Sequence, residues 1–245
     1  MTKLGSEIHH LSVVDSTNNY AAKLISEGKM QNGSVIMADF QTNGRGQRGN
    51  SWQSVSQDNL LFSLAFQPLA IPADQQIRIN WYTALIWMKC LKRFSIDAQI
   101  KWPNDIFVGN KKLGGILIEQ QIQGSSIAWS ILGCGVNINA APELSSACSM
   151  FELTNVRFQP KTVLKEYLDL FNGQIQLLYG EFQVLKAAFE AELFGKDAIQ
   201  EFTDAQQQTW RASIKGVDEQ GKLLLEKEGE IHAFDLQQIK LVLAE

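Results

Sequence analysis

A strand-like run from Ser34 to Asp39 delivers the chain into a stretch with neither helical nor strand periodicity. That stretch is Gln41-Thr42-Asn43-Gly44-Arg45-Gly46-Gln47-Arg48-Gly49-Asn50-Ser51-Trp52, and the next apolar run, Asn59 to Phe66, is again a strand. The order strand, glycine loop, strand constrains the fold more than any other feature. Gly44-x-Gly46-x-x-Gly49 matches the letters of a dinucleotide fingerprint. That fingerprint requires a helix opening at the loop, so that a pyrophosphate meets the helix N-terminus. Asn50 to Asp58 has no helical apolar stripe, which argues against a doubly wound nucleotide fold. The G-x-x-x-x-G-K-[S/T] phosphate loop is also absent, as are the motifs that accompany a kinase glycine loop. Taken alone, the stretch reads as a flexible surface turn. As a site it would take an anion, since its glycines let backbone N–H groups approach a ligand and its arginines are forked donors for carboxylate or phosphate.

The remaining periodicities give an α+β chain with a mixed central sheet rather than strict βαβ alternation. Ile8 to Val14 is a strand, and Asp15-Ser16-Thr17 caps a helix that runs from Asn18 and stops near Gly28. Pro72 to Phe94 is helical, with Ile77, Trp81, Leu85, Met88 and Leu91 on one core stripe. Ile100 to Val108 and Lys111 to Glu119 form a hairpin turning at Gly109-Asn110, and Ile127 to Leu132 follows as a strand. Residues 140–160 read as an irregular loop with one short helix. Lys161 to Phe194 carries two helical segments broken at Tyr179-Gly180. After Gly195 the texture changes to three or four short strands with Gly221 and Gly229 at turns, expected to make a small β-barrel. The expected division is residues 1–194 and 195–245.

The glycine loop is not the only cationic segment. Lys101, Lys111 and Lys112 fall in a second segment that, like the first, is rich in glycine, asparagine and tryptophan, although the net charge is −4 and the sequence pI about 5.5. Two such segments point to one polyanion pocket between two loops, while the acidic balance argues against nucleic acid as the main partner. Lys112 has the weakest structural alternative, because a lysine beside two glycines in an apolar strand has little packing purpose. Ser16 and Thr17 would serve as helix caps in any protein, and Trp102-Pro103 as an edge-strand corner. The three cysteines are too scattered for a disulfide framework or a zinc site, which fits a reduced, cytoplasmic protein. No apolar run is long enough to span a bilayer as a helix.

In this order and spacing the motifs resemble those of the biotin protein ligases, the biotin–[acetyl-CoA-carboxylase] ligases. Gly44 to Trp52 matches G-R-G-R-x-G-x-x-W, Lys101 to Asp105 matches K-W-P-N-D, and Lys112 to Glu119 matches K-L-[A/G]-G-I-L-[I/V]-E. Gly133 to Asn137 matches G-x-G-x-N, and Asp15 to Asn18 the opening D-S-T-N. The resemblance implies the class II synthetase-like biotin–lipoate ligase fold and a two-step reaction. Biotin would be activated by ATP and magnesium as biotinyl-5′-AMP, then passed to a lysine of a biotin carboxyl carrier domain. By position, Ser16, Thr17, Asn18 and Gln41 match residues that contact biotin. Gly44, Arg45, Gly46 and Gln47 match the loop closing over carboxylate and adenylate, and Gly115 lets the strand lie against biotin. Lys112 matches the lysine between biotin carboxylate and α-phosphate, and Asp105 a metal ligand or base. Arg48, Trp52, Lys101, Asn104 and Asn137 match ATP contacts.

Two positions depart from the pattern: Gln47 stands where the second arginine of G-R-G-R is usual, and Asn50 replaces another frequent arginine. The loop therefore offers less Coulomb attraction to an adenylate, and biotinyl-adenylate is expected to escape faster than from a relative with arginine there. An unchanged release rate in Gln47→Arg would refute that expectation. Some members carry a helix-turn-helix domain and bind DNA. This chain is expected to act as a ligase without one, because it begins within a few residues of the region that resembles the catalytic domain. A lipoate or octanoate ligase is the nearest enzymatic alternative, but lacks K-W-P-N-D; a non-enzymatic ligand-binding module is the other. Oligomeric state is not legible.

Overall fold

The protein's computed structural model describes residues 3–54, 57–69 and 71–243, the Arg48 side chain excepted. Strand β1 (Ile8–Val14), helix α1 (Thr17–Ser26) and strand β2 (Val35–Gln41) open the chain, and β1 and β2 pair in parallel. Strand β3 (Leu60–Phe66) and helix α2 (Ile77–Arg93) follow, then β4 (Gln99–Lys101), β5 (Asp105–Val108), β6 (Lys111–Gln123) and β7 (Ser126–Val136). These strands make one mixed sheet ordered β1-β2-β3-β7-β6-β5-β4. Helices α3 (Met150–Thr154), α4 (Pro160–Gly173), α5 (Ile175–Tyr179) and α6 (Phe182–Ala191) come next. A second, antiparallel sheet closes the described chain. It is ordered β11-β10-β9-β8-β12, from β8 (Ile199–Asp204), β9 (Thr209–Val217), β10 (Leu223–Lys227), β11 (Glu230–Phe234) and β12 (Ile239–Val242).

The two faces of the first sheet are covered unequally, and this creates the site. Alternate residues Val35, Met37, Phe62, Leu64 and Leu132 point to the large core shared with α2, α4 and α6. Their neighbours Ile36, Ala65 and Ile131 point the other way, to a small cluster with Ala21 of α1. One ten-residue helix cannot cover a seven-stranded face, so part of that second face stays open. The open part is floored by small residues. Gly133 pairs with both Ser63 and Leu117, and Gly135 with Gly115, placing all of them on the α1 side.

Several elements differ from the sequence expectation for physical reasons. The core stripe on α2 is wider than a stripe: Ile79, Tyr82, Ile86, Trp87 and Cys90 are buried as well. The helix lies between the sheet and the α4–α6 layer, and Trp87 stacks on Tyr167 of α4 at 4.5 Å while Trp81 stacks on Phe189 of α6 at 5.5 Å. The expected strand Ile100 to Val108 is two strands, β4 and β5, joined by a turn at Trp102-Pro103-Asn104 with a cis Trp102–Pro103 bond. The helical region after residue 160 has a further break at Gln174, giving three helices rather than two. The second sheet has five strands in place of three or four: β8, an interior strand between β9 and β12, is mostly polar, and the edge strand β12 is only four residues long, too short for a clear period. Phe202, Ile214, Val217, Leu223 and Ile239 of that sheet belong to the same continuous core as α2 and α6.

Candidate active site

A cavity of about 380 Å³ occupies the uncovered part of the α1 face. Its neutral end is made by the start of α1. Ser16 is the N-cap residue by position, yet its side chain makes no capping bond and lines the cavity instead. Thr17 donates to Gln41 Oε1 from both its backbone N (2.7 Å) and its hydroxyl (3.0 Å). Ser63 Oγ donates to Asn18 Oδ1 at 2.6 Å and lies 2.7 Å from Thr17 Oγ1. Asn18 is buried and presses against Gly133, where any Cβ would collide with its amide. These bonds fix a wall of amides and hydroxyls, suited to a neutral polar ring.

The other end is cationic. Lys112 Nζ lies 2.6 Å from Asp105 Oδ1 and 5.7 Å from the centroid of the Trp52 ring. In a regular strand, residues 112 and 115 would point to opposite faces. Here Ile106 pairs with Gly114 but Phe107 with Lys112, so Leu113 is an extra residue. That β-bulge turns Lys112 onto the face of Gly115 and Asp105. Gly115 keeps the strand open beside this pair: a Cβ there would lie 3.5 Å from both Lys112 Nζ and Asp105 Oδ1. Lys101, paired across the strands with Asp105, stands 5.2 Å from the Phe107 ring. Burial pushes its ammonium below the ordinary lysine value; Asp105 opposes this, while Lys112 and Lys240 add to it.

The glycine loop folds as a small hairpin over this end. Trp52 N donates to Gly44 O (2.9 Å), Arg45 and Ser51 form a bridge, and Gly46 N donates to Asn50 O (2.7 Å). A 3-10 turn at Gln47–Gly49 makes its tip. The indole of Trp52 rests on Gly135, where a Cβ would sit 2.5 Å from Trp52 Cε2. Arg45 binds Glu119 (2.6 Å) and Asn19 Oδ1 (2.6 Å). Lys112 is therefore the cation facing the cavity whose partner, Asp105, also lines it.

Of the residues singled out from the sequence, Ser16, Thr17, Asn18, Gln41, Arg45, Gly46, Gln47, Trp52, Lys101, Asn104, Asp105, Lys112 and Gly115 line this one cavity. Gly44 is behind the wall, where a Cβ would meet Trp52 O at 2.5 Å. Asn137 is also behind it, buried, its Nδ2 donating to Cys148 O at 3.1 Å. Asn104 lines the cavity but spends its Nδ2 on Ile116 O, and its own carbonyl accepts from Ile116 N at 3.1 Å, so it clips the β4–β5 turn to β6. The Arg48 side chain lies outside the described residues. The sequence reading missed Phe202, Ile214, Leu223, Ile239 and Lys240, which wall the cavity from the second sheet. No local motif marks them. It also missed why Gly133 and Gly135 are glycines, though their alternation on one strand was a readable sign of a floor.

The described residues hold no group of three His, Cys, Asp or Glu that could bind a metal ion, and no helix is long and apolar enough to cross a membrane. Residues 11–137 match the profile of the Biotin/lipoate A/B protein ligase family. The bifunctional ligase/repressor BirA of Escherichia coli is 28% identical over 274 residues, covering 98% of this chain and 76% of that protein. The biotin–[acetyl-CoA-carboxylase] ligase of Mycobacterium tuberculosis is 28% identical over 149 residues, 57% of this chain and 53% of that one. In fold, the chain is similar to the biotin protein ligase of Aquifex aeolicus in complex with biotin and ATP. The TM-score is 0.79 at 24% identity, over 98% of this chain and 100% of that one.

Proposed function

Since the chain belongs to the Biotin/lipoate A/B protein ligase family and is a ligase, we propose that it activates biotin with ATP and transfers it to a lysine of a biotin carrier domain. One observation carries this reading: a neutral hydrogen-bonding wall and a cationic wall share a single glycine floor. Biotin, with an uncharged ring system at one end and a carboxylate at the other, has the matching polarity. Its ring would lie against Ser16, Thr17, Asn18 and Gln41, its chain along Gly115, and its carboxylate toward Lys112.

In the first step a biotin carboxylate oxygen attacks the α-phosphorus of ATP, the bond to the bridging oxygen breaks, and pyrophosphate leaves. Two anions must meet, and Lys112 offsets their repulsion and the charge that develops on the phosphate. Lys101 adds a second cation and Trp52 an aromatic face for the nucleotide. Much of the acceleration comes from holding carboxylate and phosphate in line. In the second step the acceptor lysine amine attacks the acyl carbon, and AMP leaves. Magnesium would be carried on the ATP phosphates, which fits a cavity where Asp105 is the carboxylate at hand and is already paired with Lys112. In this reading residues 1–194 form the catalytic domain of a cytoplasmic enzyme and residues 195–245 a second domain that walls the nucleotide side.

The test is incubation with ATP, magnesium, biotin or lipoate, and an apo carrier domain, followed by detection of the covalent label. Biotin transfer is expected. Lipoate transfer would favour the alternative acid, and no transfer with either would defeat the reading.

A further inference from the structure

Glu119 ends the Lys112 to Glu119 motif and takes no part in the proposed chemistry. It stands on the same face of β6 as Gly115 and Leu117, both of which line the cavity, so it lies at the rim. Its two oxygens reach two different elements. Oε1 accepts from Arg45 Nη2 at 2.6 Å, and Oε2 accepts from Asn18 Nδ2 at 2.7 Å with Arg45 Nη1 3.4 Å away. Arg45 Nη1 continues to Asn19 Oδ1 (2.6 Å), and Asn19 Nδ2 to Asp15 Oδ2 (2.7 Å). A hydrogen bond network thus runs from the glycine loop, over the rim of β6, to the first turn of α1.

Arg45 sits at the base of the loop hairpin, one residue in from the Gly44–Trp52 closure. Fixing its guanidinium therefore fixes the pose of the whole hairpin, including Gln47 and Trp52 over the cavity. We propose that Glu119 is a positioning residue: a clasp that holds the glycine–arginine loop closed through Arg45 while orienting the Asn18 amide with its second oxygen. The pair is charge-assisted, with one short bond at 2.6 Å and a second, longer contact at 3.4 Å, so both carboxylate oxygens face the guanidinium. It is also half-exposed, so it can be released to admit ligand. The clasp keeps the activated intermediate in place, and that part of the proposal rests on the ligase reading.

The experiment has two arms. In the first, hydrogen–deuterium exchange of residues 44–52 is measured on ligand-free wild type, Glu119→Gln and Glu119→Ala, with exchange in α2 as the internal check on folding. Glu119→Gln is nearly isosteric and keeps an oxygen for Asn18 but loses the charge. Loop exchange about three- to ten-fold faster than wild type is expected, with α2 unchanged. Unchanged loop exchange in both variants would overturn the clasp. In the second, the rate at which biotinyl-adenylate escapes into solution is followed. A rise of similar size is expected in Glu119→Gln, and no rise would overturn the positioning role. If wild type forms no adenylate, the ligase reading fails on its own, and the exchange arm still decides the clasp.

Discussion

Two lysines share the cationic wall and are held differently. Lys112 has a carboxylate at 2.6 Å and partial access to water, so removing it should alter the fold little. Lys112→Ala is expected to lower the rate of adenylate formation by about 100-fold or more, the scale of losing an electrostatic stabiliser of the transition state. Its effect on stability should stay within about 1 kcal/mol, as for other half-exposed pairs. Pyrophosphate exchange and a thermal melt read the two quantities separately. Lys101 is the desolvated one, with its folded value held below 10.5. Between that folded value and 10.5 the unfolded chain binds more protons, so Lys101 makes the free protein gain stability as pH rises through the window. A bound triphosphate would raise the same group back, so alkaline ATP binding should take up protons. Calorimetry in two buffers of different ionisation enthalpy checks the sign; proton release would contradict it. Both lysines were legible in the sequence as chemistry. Their difference was not, because it depends on which faces of Asp105 and Phe107 they meet after folding.

At the scale of elements, the site depends on a bulge and two glycines. The motif letters around Lys112 were readable, but the extra residue Leu113, which decides the face Lys112 occupies, was not. Periodicity cannot reveal a bulge when both candidate faces begin with glycine. On β7, Gly135 leaves room for the Trp52 indole. Gly135→Ala puts a methyl where the ring lies, and overpacking of this kind costs about 1–3 kcal/mol when the neighbour cannot yield. Trp52 can yield, because it belongs to a loop. The expected outcome is a fold of near wild-type stability with nucleotide affinity reduced by about ten-fold or more. Equilibrium binding of ATP beside a melt tests it, and unchanged affinity would show that the indole is not a nucleotide surface. The strand and helix segments themselves were largely legible, since α1, β2, β3 and β7 carry their own apolar patterns. The split of β4 from β5 was hidden by the Trp102-Pro103 turn, whose residues look like an extended corner.

For the whole molecule, the second sheet is less separable than the change of texture after Gly195 suggests. Its Phe202, Ile214, Val217 and Leu223 join the core of the first unit. Trp102 Nε1 donates to Gly221 O at 2.8 Å, and Glu190 Oε1 accepts from Val217 N at 2.9 Å. A chain cut after Phe194 should therefore lose core contacts as well as a cavity wall. It is expected to melt well below the intact protein and to expose apolar surface to a hydrophobic dye. An unchanged melting temperature would mean that the two sheets are energetically independent. That dependence was invisible in the sequence, because long-range packing between two amphipathic surfaces leaves no local motif.

The shared wall also sets a schedule. Ribosomes make the neutral wall at Ser16 to Gln41 early, and the wall at Ile239 to Leu241 much later. A nascent chain can therefore present the residues that recognise a ligand long before it can enclose one. Enclosure, on which the ligase reading relies to hold an activated acid, is complete only when β12 has been made and seated.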